Sequence, residues 1–195
     1  MGEIVLGIYG SPRKGGNTDR LLDKALEGAE SAGGLTRTVF VRDLKIGGCT
    51  ECGGCDKTGR CVIQDDMQKI YPLLEEADVI FLASPIFFYN LTSQVKALID
   101  RSQAMWAKRL LGKTEEQRKR YSGGRGYILT LGATRGKNLF EGAELTAKYF
   151  FDAMDMSYEG GLFFRRIEKS SDIQKHPDLL EKAFRFGQKA LMGKT

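Results

Sequence analysis

The four cysteines of this chain stand together as Cys49, Cys52, Cys55 and Cys61, in the pattern C-x2-C-x2-C-x5-C. Thiols gathered into one short run can converge on a single inorganic centre, whereas disulfide frameworks spread out to staple distant segments. Two-residue gaps let a tight loop turn successive sulfurs inward. Gly53 and Gly54 let backbone amides approach those sulfurs and stabilise negative charge. An iron-sulfur cluster on four thiolates fits this pattern. A structural zinc site usually uses two C-x-x-C pairs set further apart, so zinc and unmetallated thiols are the alternatives, ahead of disulfides.

Three other segments carry chemistry. In GSPRKGGNT, Ser11, Asn17 and Thr18 offer short donors, Arg13 a planar fork, and Gly10, Gly15 and Gly16 an unobstructed backbone. Set at a helix N-terminus, which carries about half a positive charge, they would meet a phosphate. The competing reading is an ordinary capped helix start. Neither a Walker loop nor G-x-G-x-x-G is present. The run Pro85, Ile86, Phe87, Phe88, Tyr89 and Asn90 after Ser84 places three aromatics where a flat heterocycle could lie, although such residues also serve cores and interfaces. Gly132, Ala133 and Thr134, after Leu131, can supply backbone groups to the polar rim of the same ring.

The elements that must position these segments alternate. EIVLGIY, TRTVFV, ADVIFLASP, GRGYILTLGATRG and SYEGGLFFRR read as strands, several of them continuously apolar as in a parallel sheet covered on both faces. Between them lie helical patterns at TDRLLDKALEGAESAG, 65–76, a single long helix TSQVKALIDRSQAMWAKRLL, 139–154, and a closing HPDLLEKAFRFGQKALM with Pro177 near its first turn. Five strands alternating with helices imply an α/β, doubly wound, three-layer α/β/α fold with flavodoxin-like order 2-1-3-4-5. The loops after strands one, three and four then meet at the carboxyl edge of the sheet. The cysteine loop, residues 43–64, leaves the second strand at that same edge.

With 195 residues, 42% hydrophobic and 28% charged, the expectation is one domain over 1–195. No apolar stretch reaches eighteen residues and the N-terminus lacks a signal-peptide layout, so a cytoplasmic location and no membrane partner are expected. The net charge of +5 is modest, and no nucleic-acid partner is expected. Much of the excess sits in Lys108, Arg109, Lys113, Arg118, Lys119 and Arg120, which reads as a solvated helix end and loop, with a phosphate-bearing nicotinamide partner or a neighbouring subunit as the alternative. His176 reads as a cap-region residue, and Asp65 and Asp66 as caps of the helix that they begin.

Over most of its length the chain resembles the iron-sulfur flavoproteins within the flavodoxin-like NAD(P)H-dependent FMN reductases. GSPRKGGNT is similar to that family's FMN phosphate loop, SPIFFYN followed by QVKALIDR to its isoalloxazine loop, and the cysteine spacing to its compact cluster motif. The resemblance implies FMN on the three loops above, a [4Fe-4S] cluster on Cys49, Cys52, Cys55 and Cys61, and a homodimer or homotetramer. Flavin and cluster would exchange electrons, with ferredoxin or NAD(P)H as redox partner. The alternative is an NAD(P)H-dependent FMN or quinone-type reductase whose cysteine loop binds zinc or no metal. Phe87 stands where many relatives carry Tyr, which removes a hydroxyl. Met105 and Trp106 read as core or subunit contacts rather than flavin neighbours.

Overall fold

The computed structural model describes residues 2–192, so Met1 and residues 193–195 of the expected 1–195 domain lie outside the described residues. In chain order the elements are β1 (Ile4–Tyr9), α1 (Asn17–Ser31), β2 (Leu35–Phe40), α2 (Met67–Glu76), β3 (Val79–Pro85), α3 (Ser93–Arg101), α4 (Gln103–Gly112), α5 (Glu115–Arg118), β4 (Arg125–Gly132), α6 (Glu141–Ala153), β5 (Ser157–Arg165) and α7 (Pro177–Leu191). The strands form one sheet in the order β2-β1-β3-β4-β5, parallel throughout. This is the doubly wound flavodoxin-like arrangement that the alternation implied.

Covering the sheet on both faces explains its apolar central strands. Leu6, Ile8, Ile80 and Leu82 face one core layer with Phe150 and Phe151, while Val5, Val79, Phe81 and Leu129 face the other with Leu21 and Leu22. Each such side chain contributes roughly 1.5–3 kcal/mol when removed from water. On the second face α1 and α7 pack with their backbones touching. A Cβ built on Gly187 would lie 1.8 Å from the Ala25 carbonyl oxygen, and one on Gly28 would lie 1.9 Å from that of Phe184.

The expected long helix over 92–111 is two helices. α3 starts at the Thr92 cap, whose Oγ1 accepts the Val95 amide, and the pattern breaks at Ser102, whose hydroxyl donates back to the Leu98 carbonyl. A serine bonded to its own helix in this way favours a bend. The short helix α5, closed by a Thr114–Gln117 capping box, was not legible in the sequence. Nor is the basic stretch simply solvated. Arg109 is buried and pairs with Asp152 (2.9 Å) and Asp155 (3.0 Å), Lys113 also pairs with Asp155, and Lys108 pairs with Glu75. Met105 is buried and Trp106 half-buried on α4. Among the described residues no helix is long and apolar enough to cross a membrane.

Candidate functional site

At the carboxyl edge of the sheet four chain segments close around one cavity of about 220 Å³. The first, after β1, supplies Ser11, Arg13, Gly16, Asn17 and Thr18; the second, after β3, Pro85, Ile86 and Phe87; the third, after β4, Gly132 and Ala133. The fourth, after β5, brings Ile167 and Glu168, which the sequence did not single out. Hydrogen bonds lace the segments together. Thr92 Oγ1 donates to the Gly10 carbonyl (2.8 Å), the Ile86 amide to Leu131 O (3.0 Å), and the Ile167 amide to Gly132 O (3.2 Å). Asn17 completes the ring, donating from Nδ2 to Lys169 O (2.6 Å) and accepting the Ile173 amide on Oδ1 (3.1 Å). Its amide therefore anchors the fourth segment as well as lining the cavity.

The first segment leaves a helix end without a cap. Gly16 occupies the cap position of α1 with no side-chain hydrogen bond, and the first helical bond runs from the Arg20 amide to Gly16 O. Backbone donors before that point have no helical partner and carry the positive end of the helix dipole. Ser11 holds the turn by exchanging hydrogen bonds with the Arg13 backbone, and Gly15 takes φ +65°. Asp19 and Arg42 were missed by the sequence reading. Asp19 accepts the Gly15 amide (2.9 Å), while Arg42 donates to Ser11 O (3.1 Å) and pairs with Asp19. Burial pushes the Asp19 carboxyl above its ordinary range against the pull of Gly15 and Arg42.

Of the residues that the sequence marked, Gly10, Gly15, Phe88, Tyr89, Asn90 and Thr134 stand outside this cavity's lining. Phe88 is fully exposed, with left-handed φ of 49°, and Tyr89 follows at 62°. The Tyr89 hydroxyl fills the space beside Gly136 instead. Asn90 pairs with Phe87 across a tight hairpin and accepts the Leu91 amide, and Thr134 is exposed. Phe87, about half exposed, presents an aromatic face at the cavity rim.

The cysteine loop builds a second cavity, about 620 Å³, lined by Cys49, Cys52, Cys55 and Cys61 together with Asp100, Arg101, Gln103 and Ala104 from the α3–α4 junction. Among the described residues, none lines both cavities. Gly53 adopts φ +69°, the turn that a C-x-x-C step needs. Asp65 caps α2 through the Met67 amide (3.0 Å), as expected, but its other oxygen also accepts the Gly47 amide (2.9 Å) and Arg101 Nη1 (2.6 Å). Asp66, expected as a cap as well, stands at the cap position of α2 without a side-chain cap hydrogen bond and accepts the Lys45 amide instead, so both ends of the loop are pinned. Burial opposes ionisation of Cys61, yet the Ile63 amide, Tyr71 and Arg101 outweigh it and hold this thiol below its ordinary range. Burial and then Asp56 push Cys55 up. Among the described residues, no three His, Cys, Asp or Glu side chains converge closely enough to hold one metal ion.

Residues 4–138 match the sequence profile of the NADPH-dependent FMN reductases. A protein named iron-sulfur flavoprotein from Methanosarcina thermophila is 34% identical over 176 residues, 86% of this chain and 85% of that one. The chain belongs to the NADPH-dependent FMN reductase family. Another iron-sulfur flavoprotein, from Archaeoglobus fulgidus, is 46% identical over 97 residues, covering 50% of this chain and 44% of that protein. A solved flavone reductase shares the fold with a TM-score of 0.74 at 17% identity, over 97% of this chain and 62% of that one.

Membership of a flavin-dependent oxidoreductase family gives the first cavity a ligand to be tested against. Its donor set, an uncapped helix N-terminus with Ser11, Thr18 and Arg13 beside it, suits the phosphate end of FMN. Its volume lies under the roughly 300–1,000 Å³ of ordinary cofactor pockets, so a flat ring system would extend beyond it along exposed Phe87. The second cavity offers four thiols and a buried guanidinium with an unpartnered Nε, a donor set suited to a polynuclear, negatively charged group.

Proposed function

We propose that this FMN reductase family member is an iron-sulfur flavoprotein, carrying FMN in the four-segment cavity and a [4Fe-4S] cluster on Cys49, Cys52, Cys55 and Cys61. The observation that carries the reading is that all four cysteines of the chain line one cavity within a fold of the FMN reductase family. Four thiols lining one cavity of about 620 Å³ suit a cluster, which needs room among its ligands, better than a single zinc ion. When bound, FMN supplies one- and two-electron chemistry and the cluster one-electron chemistry.

The chain's own residues have defined tasks in this scheme. Ser11, Arg13, Gly16 and Thr18 hold the phosphate, Asn17 keeps the 167–173 segment against it, and Pro85, Ile86, Gly132 and Ala133 form the walls beside the ring. Phe87 offers a stacking surface and no hydroxyl. Asp65, Asp66 and Arg101 keep the cysteine loop in place. Because no residue lines both cavities, exchange between the centres is best served by a homodimer or homotetramer that sets one subunit's cysteine cavity beside another's flavin. A reducing cytoplasm, where thiols stay available, is the proposed compartment.

Anaerobic purification followed by flavin, iron and sulfide analysis tests the reading. One FMN with about four irons and four sulfides per chain is expected; flavin without iron would remove the cluster and leave the reductase. That second reading draws on the separation of the two cavities, which lets a flavin site work without the cysteine loop. Stopped-flow bleaching of the flavin discriminates between them, since NAD(P)H should act fast on a reductase and slowly on a protein served by ferredoxin.

A further inference from the structure

Among the described residues Arg101 is the largest side chain fully withdrawn from solvent, and it lines the cysteine cavity. A guanidinium has five N–H donors and keeps its charge at any ordinary pH. Three are spent on the loop: Nη1 donates to Asp65 Oδ2 (2.6 Å) and Gly47 O (3.1 Å), and Nη2 to Ile63 O (3.2 Å). Those acceptors flank the cysteine run on both sides, at residue 47 before Cys49 and at residues 63 and 65 after Cys61. Nε is buried and has no partner. Leaving such a donor unmet inside a protein is costly, so the group favours an acceptor beside it. Two other side chains near Cys61 spend their donors elsewhere: the Tyr71 hydroxyl on the Arg101 carbonyl (2.8 Å), and Gln68 Nε2 on the Cys61 (3.1 Å) and Ile63 (2.7 Å) carbonyls. The guanidinium is therefore the uncommitted donor beside the thiols.

We infer that Arg101 is a positioning residue for the cysteine centre, clamping residues 47, 63 and 65 into one loop while its buried charge and free Nε–H favour the more negative, reduced state of the cluster. The inference rests on the cluster reading proposed above. Reduction adds one electron and breaks no bond, so the charge alone sets the sign. A fixed cation nearby stabilises the added negative charge and raises the reduction potential, and its removal lowers it. Asp65 is partly exposed and offsets this charge only in part.

The test compares wild type, Arg101→Lys and Arg101→Met, all prepared anaerobically, by flavin, iron and sulfide content and by EPR-monitored titration with dithionite. Arg101→Met should keep its flavin, because the flavin cavity shares no residue with Arg101, and should lower the cluster potential at least tenfold in the reduction equilibrium, about 59 mV for one electron. Arg101→Lys, which keeps the charge and loses the fork, should recover most of that shift while losing iron faster than wild type. Should Arg101→Met fail to fold, pulsed EPR of reduced wild type grown on guanidino-¹⁵N arginine still decides. A ¹⁵N coupling that Arg101→Lys abolishes supports the inference, and no coupling overturns it. A cluster potential equal in wild type and Arg101→Met overturns the role of Arg101 alone. Wild type with flavin and no iron overturns the cluster reading, and this inference with it.

Discussion

Arg42 and Asp19 form a buried ion pair, Nη1 to Oδ2 3.0 Å, between the turn that opens the cysteine loop and the first turn of α1. The same Arg42 donates to Ser11 O, and the same carboxylate accepts the Gly15 amide. The pair thus shapes the loop after β1 and ties it to the strand from which the cysteine loop departs. Phe40 adds contacts to this corner, with Tyr9 stacked on its ring at 4.4 Å and the Arg42 guanidinium 4.8 Å from the ring centroid.

Removing one member of such a pair strands the other. Arg42→Met should lower the unfolding free energy by about 3–5 kcal/mol, measured by urea denaturation of flavin-free protein. A loss under about 1 kcal/mol would show the pair to behave like an exposed one.

Asn17 bonds the first segment to the fourth through both ends of its side-chain amide. Asn17→Ala leaves the Ile173 amide and the Lys169 carbonyl without it, which should cost about 1–3 kcal/mol and weaken FMN retention during gel filtration. Unchanged retention would place the fourth segment outside the flavin site.

The two cavities should respond separately. Cys61→Ser is expected to lose iron while keeping wild-type flavin content, because no residue lines both cavities. Parallel loss of flavin would mean that the centres support each other's folding.

Acid should release the fourth segment late. The Lys175 ammonium first, then the Lys169 amide, hold the Asp172 carboxyl at about 2, below its ordinary 3.8. Its folded value lies below the unfolded one, so its stabilisation is complete above pH 3.8 and disappears as the pH falls through about 2. Carboxyl ¹³C titration should give a midpoint near 2, with amide protection at Lys169 declining only at more acidic pH than 3.8; a midpoint at 3.8 would mean the cap is not made in solution.

Much of the fold was readable because its causes are local or periodic. Continuous apolar runs such as VIFLASP announced strands covered on both faces, and GSPRKGGNT announced a helix start that wants an anion. Clustered thiols announced the one cavity that all four of them line. Arg101, by contrast, looked like an ordinary residue of a helical pattern, and Asp65 like a cap. Ser102 gave no sign that it would divide the helix.

The sequence by itself determined the strand order, the three loops at the carboxyl edge and the identity of the four thiols, since these follow from hydrophobic period, glycine placement and spacing along the chain. Tertiary structure alone decided which residues meet: Asp19 with Arg42, Asn17 with Ile173, and Arg101 with both flanks of the cysteine loop. Those partners are 23, 156 and between 36 and 54 residues apart. Local spacing carries no information about such distances. Burial, which forces a charged or amide group to find whichever partner the sheet brings to it, selects them.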